Sequence, residues 1–322
     1  MHLVSIVRNP TPSGATVGMF KGYDGELLRY ARWDATVGPR RGTFCVFTGR
    51  AEYIEKYFET ISDLRRRGFA VAIMDWRGQG GSYRPINDPR KGHIADFAEY
   101  EQDIAHYMRE IVLPDCPPPY NALAHSMGGH IMLRSIARPG SWFERVVLTA
   151  PMVELHRSVL GFSPMFVRAY STIGVALGMK ESYVYGGAPD SGSLSEFEEN
   201  VVTSDRERQQ RNYMLEQAAP QFSVGSPTIG WLHAALKSIA MINHRDYFAK
   251  VQVPTLTFAA GRDFIVPSQA VEDYAARLKS ATCILLSEAK HEILQENNDI
   301  RTRFWAAFDA YFNIETIEHN VN

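Results

Sequence analysis

The sequence has few cysteines, with Cys45, Cys116 and Cys283 the three present among 322 residues. Their spacing fits neither a metal site nor a redox pair, so no disulfide framework is expected and a reducing compartment is favoured. Cys45 and Cys283 lie in apolar runs and are expected in the core.

An excess of charge of one sign is also missing. The 34 Lys and Arg residues nearly balance the 36 Asp and Glu residues, which leaves a net charge of −2. This balance lacks the basic footprint of a nucleic-acid-binding protein, so no nucleic-acid partner is expected.

Long apolar runs and cofactor motifs are absent as well. No run approaches the roughly 20 apolar residues that cross a bilayer, and the first residues lack the pattern of a signal peptide. The glycines at 78, 80 and 81 have the wrong spacing for a phosphate loop, and no metal cluster or dinucleotide motif is visible. We therefore expect a cytoplasmic protein without cofactor or metal, with peripheral contact at the inner membrane as a further expectation.

Short apolar runs alternate with stretches of helical periodicity. Strands are predicted over 43–48, 69–75, 120–125, 145–150, 254–260 and 282–287, and helices over 53–68, 94–112, 128–137 and 301–312. Apolar strands separated by helices indicate a parallel sheet covered on both faces, an α/β fold. Segments 16–20 and 26–33 alternate in polarity and predict an antiparallel hairpin at the sheet edge.

This alternation breaks between 151 and 253, where no clear strand is visible. Segment 164–179 is strongly apolar and helical, segment 193–219 fits the solvated face of a helix, and segment 230–242 is helical again. A length of 322 residues fits one large α/β domain with an insertion. We predict a core formed by 1–151 and 251–322, with a helical cap at 152–250 inserted after the sixth strand.

A candidate nucleophile lies in the run YNALAHSMGG at 120–129. A short strand, a sharp turn at Ser126 and a helix, with small residues at 124, 128 and 129, are typical of a nucleophile elbow. The pattern alone is weak, because an ordinary strand–turn–helix with an exposed serine also fits it. Position 124 is alanine where the usual motif has glycine.

Two residues further along the chain match the partners that such a serine needs. Asp263 follows the strand at 254–260, and His291 follows the strand at 282–287. Parallel strands deliver their carboxyl ends to one sheet edge, and the order serine, acid, histidine is that of α/β-hydrolases. Each residue alone could be an ordinary loop or surface residue, but their joint order favours a triad. His291 would then take the Ser126 proton, and Asp263 would orient the imidazole.

Neighbouring titratable residues are weaker candidates. Glu288 and Glu292 lie on the wrong side for the expected order of the triad. His125 adjoins Ser126 on its strand and is expected to point away from it, and His130 on the following helix is interpreted as structural. An oxyanion hole would use the backbone N–H groups of Met127 and Arg50, because Arg50 follows the strand at 43–48.

Six motifs together resemble a known superfamily. They are TGRAEY at 48–53, MDWRGQGGS at 74–82, HIADF at 93–97, AHSMGG at 124–129, GRD at 261–263 and KHEIL at 290–294. The chain resembles the α/β-hydrolases, and more narrowly the capped serine hydrolases of the lysophospholipase L2 and monoacylglycerol lipase group. The resemblance implies an eight-stranded, mostly parallel sheet, a triad of Ser126, Asp263 and His291, and oxyanion donors at Arg50 and Met127. Thr48-Gly49 and Ala124 look closer to the lysophospholipase branch.

The expected function is hydrolysis of a mono-acyl lipid ester, foremost a lysophospholipid, through an acyl-enzyme. The alternatives are a monoacylglycerol lipase, a general carboxylesterase or acyltransferase, and a non-catalytic binding protein on the same fold. Segment 164–179 either lines an acyl groove or is ordinary cap core. The candidate substrate contacts are Gly49, where glycine allows close backbone approach, and His125, Phe162 and Phe166.

Two further expectations concern contacts with charged groups and membranes. The side chain of Arg50 could hold a phosphate headgroup, although an ion pair with Glu52 or another carboxylate is the favoured interpretation. The cap could also bring the protein into peripheral contact with a membrane.

Overall fold

One mixed sheet organises the fold in the computed structural model, which describes residues 2–189, 197 and 200–315. Within these residues the sheet has eight strands in the order β1-β2-β4-β3-β5-β6-β7-β8. Their bounds are β1 Thr16–Lys21, β2 Leu27–Trp33, β3 Thr43–Phe47, β4 Ala70–Met74, β5 Tyr120–His125, β6 Phe143–Thr149, β7 Thr255–Ala260 and β8 Ala281–Leu286. β1 and β2 form an antiparallel edge hairpin, β2 also pairs antiparallel with β4, and the other pairs are parallel. The predicted fold class and edge hairpin are confirmed.

Ten α-helical segments surround the sheet in the described residues. They are α1 Phe58–Arg66, α2 Ala98–Tyr107, α3 Leu113–Asp115, α4 Met127–Ile136, α5 Arg157–Leu160, α6 Pro164–Ala176, α7 Arg206–Ala218, α8 Ile229–Ile242, α9 Ser268–Ala276 and α10 Asn298–Tyr311. A π-helical stretch, Met108–Val112, joins α2 to α3, and a 3₁₀ turn, Ile54–Tyr57, precedes α1.

The central strands are buried on both faces, and their side chains divide between two cores. Cys45 and Phe47 of β3 point into one core, which also contains side chains of α2, α4, α8 and α9. Phe44 and Val46 point into the other, which is completed by α1 and α10. Successive residues of a strand face opposite sides, so this division follows directly from the strand geometry.

Several element boundaries differ from the sequence prediction. The predicted helix at 53–68 begins as a 3₁₀ turn, and the helix predicted from 94 begins at Ala98 as α2. Helix α9 was not predicted, although Val271, Tyr274 and Ala275 form its buried face with helical spacing.

The segment between β6 and β7 contains α5 to α8, and none of its described residues belongs to a strand of the sheet. The assignment of 152–250 as a separate cap domain stays a prediction. Positions 190–196, 198 and 199, which include part of the polar run predicted at 193–219, lie outside the described residues, as do residue 1 and 316–322 of the core. Of the helices in the described ranges, none has both the length and the apolar composition needed to cross a bilayer.

Candidate active site

Ser126 occupies a tight turn between β5 and α4. Its backbone angles, φ 51° and ψ −115°, are rare for a residue with a side chain and cost about 1–3 kcal/mol. The surrounding backbone stabilises this conformation. The Ser126 amide donates to the carbonyl of Thr149 at 3.0 Å, and its own carbonyl accepts from the amides of His130 and Met152 at 3.0 Å each.

The small residues around Ser126 allow this turn to form. A Cβ atom at Gly128 would lie 2.5 Å from the carbonyl oxygens of Phe47 and Thr48. A Cβ atom at Gly129 would lie 2.9 Å from the Pro151 side chain. The fold therefore requires glycine at both positions. Ala124 is fully buried in the core that also contains side chains of α4, so the fold accommodates its methyl group there.

The structure brings Ser126, His291 and Asp263 into one hydrogen-bonded chain. The Nε2 atom of His291 lies 2.8 Å from the Ser126 Oγ, and its Nδ1 atom lies 2.6 Å from Oδ2 of Asp263. All three side chains come from loops at the carboxyl ends of β5, β7 and β8, as expected for parallel strands of one sheet. The arrangement can transfer a proton from the hydroxyl to the imidazole while the carboxylate orients the ring.

Asp263 is held as a carboxylate. Burial alone would raise its pKa, but the His291 ring and hydrogen bonds from that ring and from backbone amides outweigh this effect and lower the pKa below its usual value. The amides of Ile265 and Val266 donate to Oδ1 at 2.7 and 3.0 Å. The free oxygen Oδ2 is thereby aimed at His291.

The two other histidines near the elbow have different surroundings. The His125 ring packs against the His291 ring with centroids 4.9 Å apart, and its Nδ1 lies 3.1 Å from both oxygens of Thr149. Burial lowers the His125 pKa to about 4, so this ring is neutral beside His291. His130 bridges the Met152 carbonyl and the Ser238 hydroxyl of α8, at 2.8 and 2.6 Å. It links the elbow helix to the inserted segment.

The Arg50 amide, in the loop after β3, and the Met127 amide of the elbow are candidate hydrogen-bond donors to an oxyanion. Among the hydrogen bonds of the described residues, none uses the amide N–H of Arg50 or of Met127. The Gln79 side chain accepts from the Ala51 amide at 3.1 Å and donates to the Gly49 carbonyl at 2.8 Å. The loop is therefore fixed on both sides of Arg50, and two free donors are available for a developing oxyanion.

The Glu52 carboxylate also holds this loop in place. It accepts from the Gly49 amide at 2.5 Å and the Tyr57 hydroxyl at 2.6 Å, and it pairs with Lys56 at 2.9 Å. A Cβ atom at Gly49 would lie 2.8 Å from this carboxylate, so a larger residue there would have to displace the Glu52 side chain. The expected ion pair between Arg50 and Glu52 is wrong, because Glu52 turns toward the loop's own amide.

The rival carboxylates also lie elsewhere. Glu292 pairs with Lys56 at 2.6 Å, and Glu288 lies 3.8 Å from Arg303 at the surface. Neither contacts the His291 ring through a hydrogen bond in the described structure. Asp263 is the carboxylate that holds His291.

Ser126 opens into a cavity of about 610 Å³. Its wall is mainly apolar and comes largely from the segment between β6 and β7, including Leu155, Val159, Phe162, Phe166, Val167 and Trp231. The candidate contacts Phe162 and Phe166 lie at its rim, half exposed, with ring centroids 5.1 Å apart. Gly49 and His125 are not among the described residues of the wall, and they support the loop and His291 instead.

Glu52 and Gln79 are the residues whose site contacts sequence reasoning missed. Both lie inside motifs that carried the resemblance, TGRAEY and MDWRGQGGS. Their presence in those motifs was the available signal, but their partners are backbone groups of a loop, which a linear sequence does not reveal.

The sheet and its elbow define the class of the protein as an α/β-hydrolase. The chain belongs to the family Hydrolase_4, described as serine aminopeptidase, S33, whose family model matches residues 38–298. It is a hydrolase.

Curated relatives match most of the chain. The chain is 28% identical over 277 residues to a probable lysophospholipase L2 from Haemophilus influenzae, covering 86% of this chain and 85% of the relative. It is also 28% identical over 302 residues to lysophospholipase L2 from Escherichia coli K12, covering 91% and 86%. A monoacylglycerol lipase from Mycolicibacterium smegmatis is 30% identical over 156 residues, covering 48% of this chain and 52% of the relative.

Solved structures support the same fold. A soluble variant of monoglyceride lipase from Saccharomyces cerevisiae, in complex with a substrate analogue, superposes with a TM-score of 0.74. It is 17% identical and covers 95% of this chain and 98% of its own. A carboxyl esterase from Bacillus coagulans, in complex with glycerol, has a TM-score of 0.69 at 18% identity, covering 94% and 99%.

Proposed function

We propose that the protein is a serine carboxylester hydrolase that cleaves mono-acyl lipids, foremost lysophospholipids. One observation carries this proposal: a hydrogen-bonded chain from Ser126 to His291 to Asp263 lies at the wall of an apolar cavity. Relatives named lysophospholipase L2 match 86% and 91% of the chain, and this extensive likeness supports the choice of substrate.

In the proposed mechanism the acyl chain occupies the apolar cavity, and its ester carbonyl lies beside Ser126. His291 Nε2 accepts the Ser126 proton while Oγ attacks the carbonyl carbon. The carbonyl oxygen becomes an oxyanion, which accepts hydrogen bonds from the amides of Arg50 and Met127. Asp263 stabilises the imidazolium that forms.

Collapse of this intermediate breaks the ester C–O bond and leaves an acyl-enzyme. The His291 proton passes to the departing glycerol oxygen, so the alcohol leaves neutral. His291 then takes a proton from water, which attacks the acyl-enzyme and releases the fatty acid. Ser126 regains its proton from His291 in the last step.

A substrate panel tests the proposal. Lysophosphatidylcholine, monoacylglycerol and a simple alkyl ester with one common acyl chain would be compared for kcat/KM, with Ser126→Ala as the control. We expect turnover of mono-acyl lipids by the wild-type protein and a loss of at least about 10⁴-fold in Ser126→Ala. Retained turnover in the variant, or binding of these esters without turnover, would refute the proposal.

Monoacylglycerol lipase activity is the second candidate, favoured by the shorter match to the Mycolicibacterium smegmatis enzyme. Preferential turnover of monoacylglycerol in the same panel would select it. Acyl transfer uses the same triad, and product analysis with added glycerol distinguishes it, because transfer would produce acylglycerol in place of free fatty acid.

We also propose that α6 contacts the lipid surface that supplies the substrate. Phe162 and Phe166 at the cavity rim are 53% and 54% exposed, and Met165, Ile173 and Leu177 are 83%, 58% and 71% exposed. Arg168 is the single charged residue of α6. Exposed apolar side chains around the mouth of a lipid cavity would lower the cost of moving a lipid from a bilayer into it. Unchanged partitioning of a Met165→Ser variant onto vesicles would contradict this contact.

A further inference from the structure

The cavity wall contains one charged side chain among its described residues, that of Arg50. Its Nη1 donates to the Gly225 carbonyl at 2.8 Å, and its guanidinium lies 5.8 Å from the centre of the Trp231 ring. No carboxylate of the described residues pairs with it. The remaining donors of the guanidinium have no hydrogen-bond partner in that part of the chain.

The buried side chains of Arg29 and Arg77 show how carboxylates can accommodate such a charge in this fold. Arg29 pairs with Glu55 at 2.8 Å and with Asp75 at 2.6 Å. Arg77 pairs with Asp24 at 2.8 Å and with Asp103 at 2.6 Å. Each guanidinium therefore meets two carboxylates, which offset the cost of removing a charge from water.

Arg50 lacks this compensation within the described residues. Burial lowers its pKa to about 10, whereas Arg29 and Arg77, buried beside their carboxylates, have raised pKa values. The proposed oxyanion role uses only the backbone of Arg50 and does not need its side chain. An anion supplied by the substrate would provide the missing partner.

We propose that the Arg50 guanidinium binds the phosphate of a lysophospholipid headgroup and so selects phosphate-bearing mono-acyl lipids over neutral ones. This inference rests on the proposed function. In a lysophospholipid the phosphate is separated from the scissile ester only by the glycerol backbone. A residue whose amide would contact the ester oxygen can therefore reach that phosphate with its side chain. The planar fork of arginine matches phosphate oxygens and forms charge-assisted hydrogen bonds with them.

The first test needs no variant. Two non-cleavable ethers with the same alkyl chain, an alkyl glycerophosphocholine and an alkylglycerol, would compete against turnover of a neutral monoester by the wild-type protein. Inorganic phosphate forms a third arm. We expect the phospholipid ether to have an inhibition constant about 10- to 100-fold lower than that of the alkylglycerol. Equal constants would overturn the inference, as would inhibition by inorganic phosphate at the same concentration as the phospholipid ether, which would indicate a free-phosphate site.

The second test compares variants by a ratio of substrates. We expect Arg50→Gln to lower the ratio of kcat/KM for lysophosphatidylcholine to kcat/KM for monoacylglycerol by about 10- to 100-fold, and Arg50→Lys to lower it less. Disturbance of the Arg50 amide affects both substrates and cancels in this ratio. Arg168→Gln removes the same charge from the exposed face of α6 and should leave the ratio unchanged.

The outcomes separate the inference from the proposed function. If the wild-type protein cleaves neither lipid, the proposed function fails. If it cleaves both and the ratio is the same in Arg50→Gln as in the wild type, the inference alone fails. An equal change of the ratio in Arg168→Gln also overturns it, because the effect would then come from net charge near the cavity.

Discussion

Helices α6 and α7 lie in the same segment between β6 and β7, and each has 13 residues, yet their surfaces are opposite in character. Helix α6 has one charged residue, and its apolar side chains line the cavity or point to solvent. Helix α7 is rich in charge, and its Arg208 and Arg211 pair with Glu59 of α1 at 2.6 and 2.8 Å.

The partners of each helix explain this difference. The residues before α7 also hold the loop of His291, since the Val202 carbonyl accepts from the Glu292 amide at 2.8 Å and the Asn200 carbonyl accepts from Lys290 Nζ. Helix α6 instead packs on α8 and faces the cavity. One half of the segment between β6 and β7 is therefore tied to the loop that carries His291, and the other half forms much of the cavity wall.

The largest predicted loss of activity comes from a change in the candidate triad at the carboxyl ends of the strands. Asp263→Asn keeps the shape of the side chain but removes the charge that stabilises the His291 cation. We expect kcat to fall about 10³- to 10⁴-fold for long and short esters alike, with an unchanged KM. An effect confined to long-chain esters would instead assign Asp263 to substrate binding.

The next prediction concerns the stability that α7 gains from its ion pairs. Arg208→Ala removes the ion pairs with Glu59 and Asp205. We expect the free energy of unfolding at pH 7, measured by denaturant titration, to fall by about 1–2 kcal/mol. Arg168→Ala on α6 is the matched control, because Arg168 has no ion pair within the described residues, and its expected loss is under about 0.5 kcal/mol. Equal losses of unfolding free energy in the two variants would show that the ion pairs of Arg208 do not stabilise α7.

The loss of stability in Arg208→Ala should depend on pH. Burial alone would raise the pKa of Glu59, but Arg208, Arg301 and Arg211 outweigh it and lower the pKa to about 2. A depressed folded-state pKa stabilises the fold above the unfolded value of roughly 4.3, and the contribution disappears as pH falls through the folded value. The difference between wild type and Arg208→Ala should therefore shrink between about pH 4 and pH 2. A difference that stays constant over that range would contradict the role of Glu59.

A smaller effect is expected at the cavity wall. Val159 lines the cavity and is half exposed, so Val159→Trp can fill space without overpacking the core. We expect kcat/KM for a long-chain monoester to fall about 10-fold, and that for an acetyl ester to change less than about 2-fold. Ile173→Trp, at an exposed position of α6 that is not part of the described wall, is the control. Equal losses for both chain lengths would show that the acyl chain lies elsewhere.

The smallest effect is expected in membrane contact. Met165→Ser on α6 should weaken partitioning onto lipid vesicles about 3- to 10-fold, because it removes an exposed apolar side chain worth about 1 kcal/mol. Met214→Ser on α7 is the matched control, since Met214 is 38% exposed but lies on the charged helix. A cosedimentation assay in which both variants behave alike would refute the proposed contact of α6.

Much of the fold could be predicted because its central strands are apolar on both faces. β3, β4 and β5 are buried almost throughout, and such runs are hard to mistake when turns and helices separate them. The same logic predicted the loops that carry Ser126, Asp263 and His291, since chain order fixes which strand ends they follow. Helix α9 was missed although its apolar spacing was available in the sequence.

The surroundings of the triad could not be predicted in this way. Arg50 and Glu52 are two positions apart and of opposite charge, so an ion pair was a reasonable expectation. In the structure Glu52 accepts from the Gly49 amide and pairs with Lys56, which leaves Arg50 to face the cavity. Which partner a side chain meets depends on the loop conformation, and residue type and spacing do not specify it.

The central claim, that the sheet edge performs the chemistry and the inserted segment receives the acyl chain, is tested most directly by covalent labelling. A fluorophosphonate with a long alkyl chain would be reacted with the protein and the labelled residue mapped by mass spectrometry. We predict a single label on Ser126, no label in Ser126→Ala, and slower labelling in the presence of a non-cleavable mono-alkyl lipid. A label on another residue, or labelling of Ser126 that such a lipid does not slow, would contradict the account.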